Sequence, residues 1–141
     1  MNHITASLIQ EWQTLQNQFD SYEKHALWIK LLAIFIFSMA ILSAKMSIDI
    51  VIVMAVLWLQ DAIWKTFQYR IEPRLLAVEK QLSEPNPTDD FFAVCQFNRS
   101  YLKNKRSLIG MLKEYLSQAV RPTIAYPYVV FIGLGLWILY V

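Results

Sequence analysis

The sequence is short of most of what a small catalytic or secreted domain is built from. It holds one cysteine, Cys95, in 141 residues, so no disulfide can close within the chain. A structural zinc site needs about four ligands, and Cys95 with two distant histidines, His3 and His25, does not supply them. No Ser/His/Asp set, phosphate loop or paired-histidine motif is present. No catalytic residue, cofactor or metal is therefore expected. The first twenty residues lack the basic start and apolar run of a signal peptide. Net charge is only +2, and there is no nucleic-acid-binding motif, so nucleic acid is not an expected partner.

Apolar side chains are abundant: 56% of the chain, against roughly 45–50% in a soluble domain. They gather in three blocks, and three such blocks in a chain this short leave too little polar surface to cover them in water. The expected fold is all-α, an integral membrane protein with three transmembrane helices and cytoplasmic amphipathic helices.

From Thr5 to Lys24, Leu8, Trp12, Leu15, Phe19 and Tyr22 recur at alternating steps of four and three, which makes one apolar helix face. Residues 1–25 are thus read as a cytoplasmic amphipathic helix, with Thr5 or Ser7 as its cap. Residues 26–44 form the first span, long enough if Lys30 lies near the entry and snorkels to the headgroups. The short link Lys45-Met46-Ser47 returns the chain antiparallel. The second span covers 47–65 and continues as a cytoplasmic helix to about Leu82, with a kink or break at Pro73. Ser83-Glu-Pro-Asn-Pro-Thr is the clearest loop. Thr88, Asp89 and Asp90 then start a helix over 88–120. Residues 123–141 form the third span, 19 residues without a charge, with Tyr126 and Tyr128 at one end and Trp137 and Tyr140 at the other as aromatic belts.

Ten Lys/Arg lie between Leu59 and Thr123, against Lys45 alone in the first hairpin. Basic residues are retained in the cytoplasm. The expected location is the cytoplasmic (inner) membrane, with the N-terminus cytoplasmic and the C-terminus periplasmic.

Asp61 is the leading candidate for a functional polar group, with Gln60 and Lys65 beside it. A carboxylate at the bilayer centre costs about 2.5–3.5 kcal/mol or more, and less at the interface. One reading makes Asp61 a lock between spans or the lining of a water path. The plainer reading makes it an interfacial residue paired with Lys65, four positions on. Asp49 reads as an outer-interface residue, and Cys95 as a small core residue. Arg99, Lys103, Arg106 and Lys113 share a helix face. They suit anionic lipid headgroups, an anionic ligand, or a solvated face. Gly133 and Gly135 hint at close helix packing.

Trp58-Leu-Gln-Asp-Ala, Tyr69-Arg-Ile-Glu-Pro-Arg, the Asn86-Pro-Thr-Asp loop and a final span resemble a loose pattern of small bacterial inner-membrane proteins, the RipA-type octameric membrane-protein family. The tight hairpin leading into a long helix is also similar to the two-span membrane effectors of anti-phage systems. The resemblance covers Ala26 to Val141. Gln60 and Pro73 depart from the pattern. It implies a homo-oligomer in the cytoplasmic membrane, with no catalytic residue to carry over. Three spans also enclose little interior of their own. The expected function is a non-enzymatic homo-oligomer among membrane lipids, pore-forming or membrane-perturbing, with cytoplasmic helices for assembly or sensing. The alternatives are an accessory or immunity-type subunit bound to a partner membrane protein and, less favoured, a lipid-active enzyme using Asp61 as acid/base.

Overall fold

The computed structural model describes residues 3–83 and 107–141. Among the described residues there are four helices and no strand: α1 (His3–Leu42), α2 (Ile48–Ser83), α3 (Leu108–Ala119) and α4 (Pro122–Tyr140). Three of them, α1, α2 and α4, are long and apolar enough to cross a membrane. The expected helix start at Thr88, Cys95, and the basic positions Arg99, Lys103 and Arg106 lie outside the described residues.

α1 is a single helix of 40 residues, where two segments meeting near His25 were expected. The reason is its packing seam. The spacing of Leu8, Trp12, Leu15, Phe19 and Tyr22 carries on through Ala26, Ala33, Phe37 and Ala40, so one 3.5-residue repeat faces α2 along the whole length. A helix whose buried stripe never changes phase has no cause to stop. Ser7 does not cap the start. Its hydroxyl donates back to the His3 carbonyl at 2.9 Å, inside the helix.

The link after Leu42 ends the helix by a Schellman arrangement. Lys45 N–H donates to Ala40 O and Ala44 N–H to Ile41 O, both at 3.0 Å. Ala44 takes the left-handed conformation this requires, with φ 50°. The chain then returns as α2, packed antiparallel along α1.

α2 runs unbroken through Pro73 to Ser83, so the expected break does not occur. The missing N–H is outweighed by contacts on both sides of the proline. Ile71, Leu75 and Val78 are buried against Leu8 and Leu15 of α1. Arg74 donates from Nε and Nη2 to the two oxygens of Glu11 at 2.8 and 3.0 Å. Trp12 adds an indole N–H to Glu79 Oε1 at 3.0 Å.

Nearer the turn the interior changes character. Ala33, Phe37, Met54 and Tyr128 form a second buried cluster, while Leu27, Trp28, Phe35, Leu42, Ile52 and Val56 point outward. The inward alanines of α1 (26, 33 and 40) keep the helices close. α4 closes this end, with Phe131 stacked on Phe37 at 4.8 Å. A Cβ on Gly135 would stand 3.1 Å from Val51 Cγ2, whereas one on Gly133 would meet nothing within 4 Å. Of these two, Gly135 is the packing glycine. Tyr126, Trp137 and Tyr140 are exposed at the two ends of α4, but Tyr128 is not part of a belt: it is fully buried.

α3 lies against α2 on the other side. Arg70 donates to Glu114 at 3.0 Å and lies over the Tyr115 ring. The Trp58 indole donates to the Ala119 carbonyl at 3.0 Å, which satisfies one of the orphan acceptors of a helix end.

Candidate functional site

The polar centre of the molecule is assembled from all three long helices. Asp61 of α2 is 0% exposed. Its partner is Lys30 of α1, whose Nζ lies 3.1 Å from Oδ2. Tyr128 of α4, also fully buried, directs its hydroxyl at the same carboxylate. Ala62, Ala119 and Ile124 pack as a small apolar cluster next to it, so the α3–α4 corner shields the group from the far side.

The contact with Lys30 is ionic. Neither Asp61 oxygen nor the Tyr128 hydroxyl has a well-formed hydrogen bond among the described residues, although Lys30 and Tyr128 both stand within electrostatic reach of the carboxylate. The three groups are therefore held together by burial and charge rather than by a fixed hydrogen-bond pattern.

All three sit at one level. Lys30 lies about 18 Å along α1 from Leu42, Asp61 about 20 Å along α2 from Ile48, and Tyr128 about 18 Å along α4 from Tyr140, taking a rise of 1.5 Å per residue.

Two sequence-based expectations for this region are corrected. Asp61 does not hold its head in water: it is fully buried. Nor is Lys65 its partner in an ion pair. Lys65 turns to the next layer, where it donates to Gln68 Oε1 at 2.8 Å and lies 3.9 Å from Glu23. Lys65 is taken up by Glu23 of α1 and Gln68 one turn further along, whereas Lys30 reaches Asp61 from across the interface. Lys30 in turn does not snorkel away to headgroups: its ammonium is drawn inward. Gln60 is exposed on the helix flank. Of the basic stripe, only Lys113 is described, and it is exposed on α3.

The signal for Lys30 was in the sequence. A tight antiparallel hairpin pairs residues equally far from its turn, and Lys30 and Asp61 stand 15 residues either side of the Lys45–Met46 step. Tyr128 gave no such signal, because a long segment separates α2 from α4.

No protein-family model, curated protein or solved structure matches this chain. What the centre can do follows from its geometry alone. A general acid or base must reach its substrate within about 3 Å, directly or through one water. Among the described residues, Lys30 and Tyr128 stand within reach of the Asp61 carboxylate. That arrangement neutralises a charge and joins three helices.

Proposed function

We propose that this chain is a non-enzymatic, three-span membrane protein that self-associates, with its spans locked by the Lys30–Asp61–Tyr128 centre and its water-exposed helices serving assembly. One observation carries the membrane part. Most of the large apolar side chains of α1, α2 and α4 near the turn face outward, while Asp61 and Tyr128 are buried within, which suits lipid and is costly in water.

With the turn at one membrane face, the charged centre lies well inside a hydrocarbon layer about 30 Å thick. Polar groups at that depth are expected to face the bundle interior and pair with one another, as Lys30 and Asp61 do. The placement of Lys/Arg supports an orientation with His3 and α3 on the cytoplasmic side and Val141 opposite.

Self-association is supported by α3. Ile109, Leu112, Leu116 and Val120 form an exposed apolar stripe on a helix tied to the water-side part of α2 through Arg70–Glu114. A second copy would bury it. A pore on this reading lies between copies, because the polar groups of the spans are turned into each protomer.

Alkaline extraction tests the first part: the chain stays with the membrane. Particle mass in mild detergent tests the second. The expected mass exceeds that of one 16.5 kDa chain, and paired Leu112→Gln and Leu116→Gln changes lower it. A wild-type particle of one chain overturns self-association, and a chain that needs no detergent overturns the membrane reading.

A further inference from the structure

The Lys30–Asp61–Tyr128 centre is approached differently from the two ends of the bundle. Of the three long helices, α1 and α4 are the least closely packed on each other, which leaves a groove between them. Lys30 meets Asp61 on the side of α2 that carries Tyr128, so the centre stands on that groove. Asp61 and Tyr128 are fully buried, but the Lys30 side chain stays 23% exposed. One member of the centre is thus within reach of whatever fills the groove.

Toward α3, the groove opens into a cleft of about 150 Å³. Phe19 of α1, Lys65 and Gln68 of α2, and Thr123 and Ile124 at the start of α4 line it. One water needs about 10–15 Å³, so several fit. Two of the lining residues stand one helical turn from the centre: Lys65 four positions from Asp61, and Ile124 four from Tyr128, each about 6 Å along its helix. Lys65 is held by Gln68 and Glu23, and its charge reaches Asp61. Ile124, packed on Ala62, is the apolar step between the cleft and the Tyr128 hydroxyl.

Toward the turn, the way is about three times longer and apolar. About 20 Å of α2 separates Asp61 from Ile48. Ala33, Phe37 and Met54 are buried in that stretch, Phe131 stacks on Phe37, and Val51 stands close against Gly135. Among the described residues, no buried polar side chain of α2 lies between Asp61 and the turn. The carboxylate oxygens and the Tyr128 hydroxyl, buried without a well-formed hydrogen bond, keep unused acceptor capacity. Ionisable groups inside a membrane with a polar approach from one side are placed as proton-relay groups are.

We propose that the Lys30–Asp61–Tyr128 centre is a proton-binding site that exchanges with the compartment on the α3 side, through the α1–α4 groove, and not with the compartment on the turn side. Uptake moves a proton from hydronium to the Asp61 carboxylate, leaving one water and a neutral carboxylic acid beside the Lys30 ammonium; release is the reverse. The charged and titratable groups around the path are Lys30 and Glu23 from α1, Asp61, Lys65 and Glu72 from α2, and Tyr128 of α4 with Arg121 just before it. The residue that α3 brings to the cleft, Gln118, is uncharged. The site rests on the membrane reading above, since two compartments require a membrane between them.

The test is infrared difference spectroscopy of the full-length chain in sealed proteoliposomes of unequal orientation, with the external pH stepped down. The carbonyl band of a protonated carboxyl is read as wild type minus the double change Lys30→Met with Asp61→Leu, which keeps the spans neutral and lacks the acid. The share of chains with α3 outside is found from cleavage by external trypsin at Lys113, which is exposed on α3. The Asp61 band is expected at once with an amplitude equal to that share, and the remainder only after a protonophore carries the pH step inside. No Asp61 band before or after the protonophore overturns the proposal, because the carboxylate then takes no proton. Full amplitude without the protonophore overturns it by showing access from both sides. A prompt amplitude equal to the share with the turn outside overturns it by placing the access at the wrong end. All these outcomes are read on chains that have entered the bilayer, so they leave the membrane reading standing. Failure of the membrane reading shows instead as a chain that needs no detergent and stays out of the liposomes.

Discussion

The two ends of the α1–α2 hairpin use the same pair of helices in opposite ways. Far from the turn, Leu8, Leu15, Ile71, Leu75 and Val78 are inside and the charged pairs Glu11–Arg74 and Arg70–Glu114 flank them. Near the turn most of the large apolar groups are outside, and alanines, Phe37, Met54, one ion pair and a phenol are inside. The seam on α1 has one period throughout. What changes along it is the residue type, and with it the solvent each half can tolerate. Periodicity sets which face is buried; composition sets what surrounds the bundle.

The sharpest way to break this comparison is at Lys30. Removing one partner of a buried pair strands the other charge and costs about 3–5 kcal/mol. Lys30→Met should lose that much in reversible unfolding in detergent. The double change Lys30→Met with Asp61→Leu should recover to within about 1.5 kcal/mol of wild type, as a volume-matched apolar swap does.

Arg74→Ala probes the other end. Glu11 is left without its two charge-assisted hydrogen bonds, but on the proposed topology it lies on the water side, where truncating Arg74 opens this buried pair to solvent. The expected loss is smaller, about 2–3 kcal/mol. If Arg74→Ala costs as much as Lys30→Met, the two halves do not differ in solvent.

Gly133→Ala and Gly135→Ala form an internal control within α4. Helix propensity favours alanine at both by about 0.5–1 kcal/mol. Gly133→Ala should show that gain, while Gly135→Ala should lose it to the 3.1 Å contact with Val51. The smallest effect is expected at the turn. Ala44→Gly relieves a left-handed alanine and should stabilise the hairpin by about 0.5–1 kcal/mol, with no change in particle mass.

The helical character and the three long apolar helices were legible because apolar runs and helical stripes are local properties. The continuity of α1 was legible too, had the stripe from Leu8 to Tyr22 been followed into Ala26 and Ala33 instead of being cut where polarity changes. The passage of α2 through Pro73 was not, since local backbone chemistry argues for a break and only the packing of Ile71, Leu75 and Arg74 on α1 overrides it. Asp61 stood out as an ionisable residue in an apolar stretch. Its ion-pair partner was not local: a helix-face rule relates Asp61 only to Lys65 on the same helix, whereas Lys30 lies on α1. Tyr128 became visible only once α4 was docked on α2.

Neither α1 nor α2 is interrupted where the proposed membrane ends and water begins. From Lys24 back to His3 the first helix extends about 33 Å at 1.5 Å per residue, braced along its side by α2. Such a pair behaves as a lever. On the same rise, a tilt of the spans by about ten degrees swings its far tip sideways by about 6 Å. On the proposed membrane reading, changes in bilayer thickness would be transmitted to the water-facing end as displacement, since neither α1 nor α2 has a hinge to absorb them.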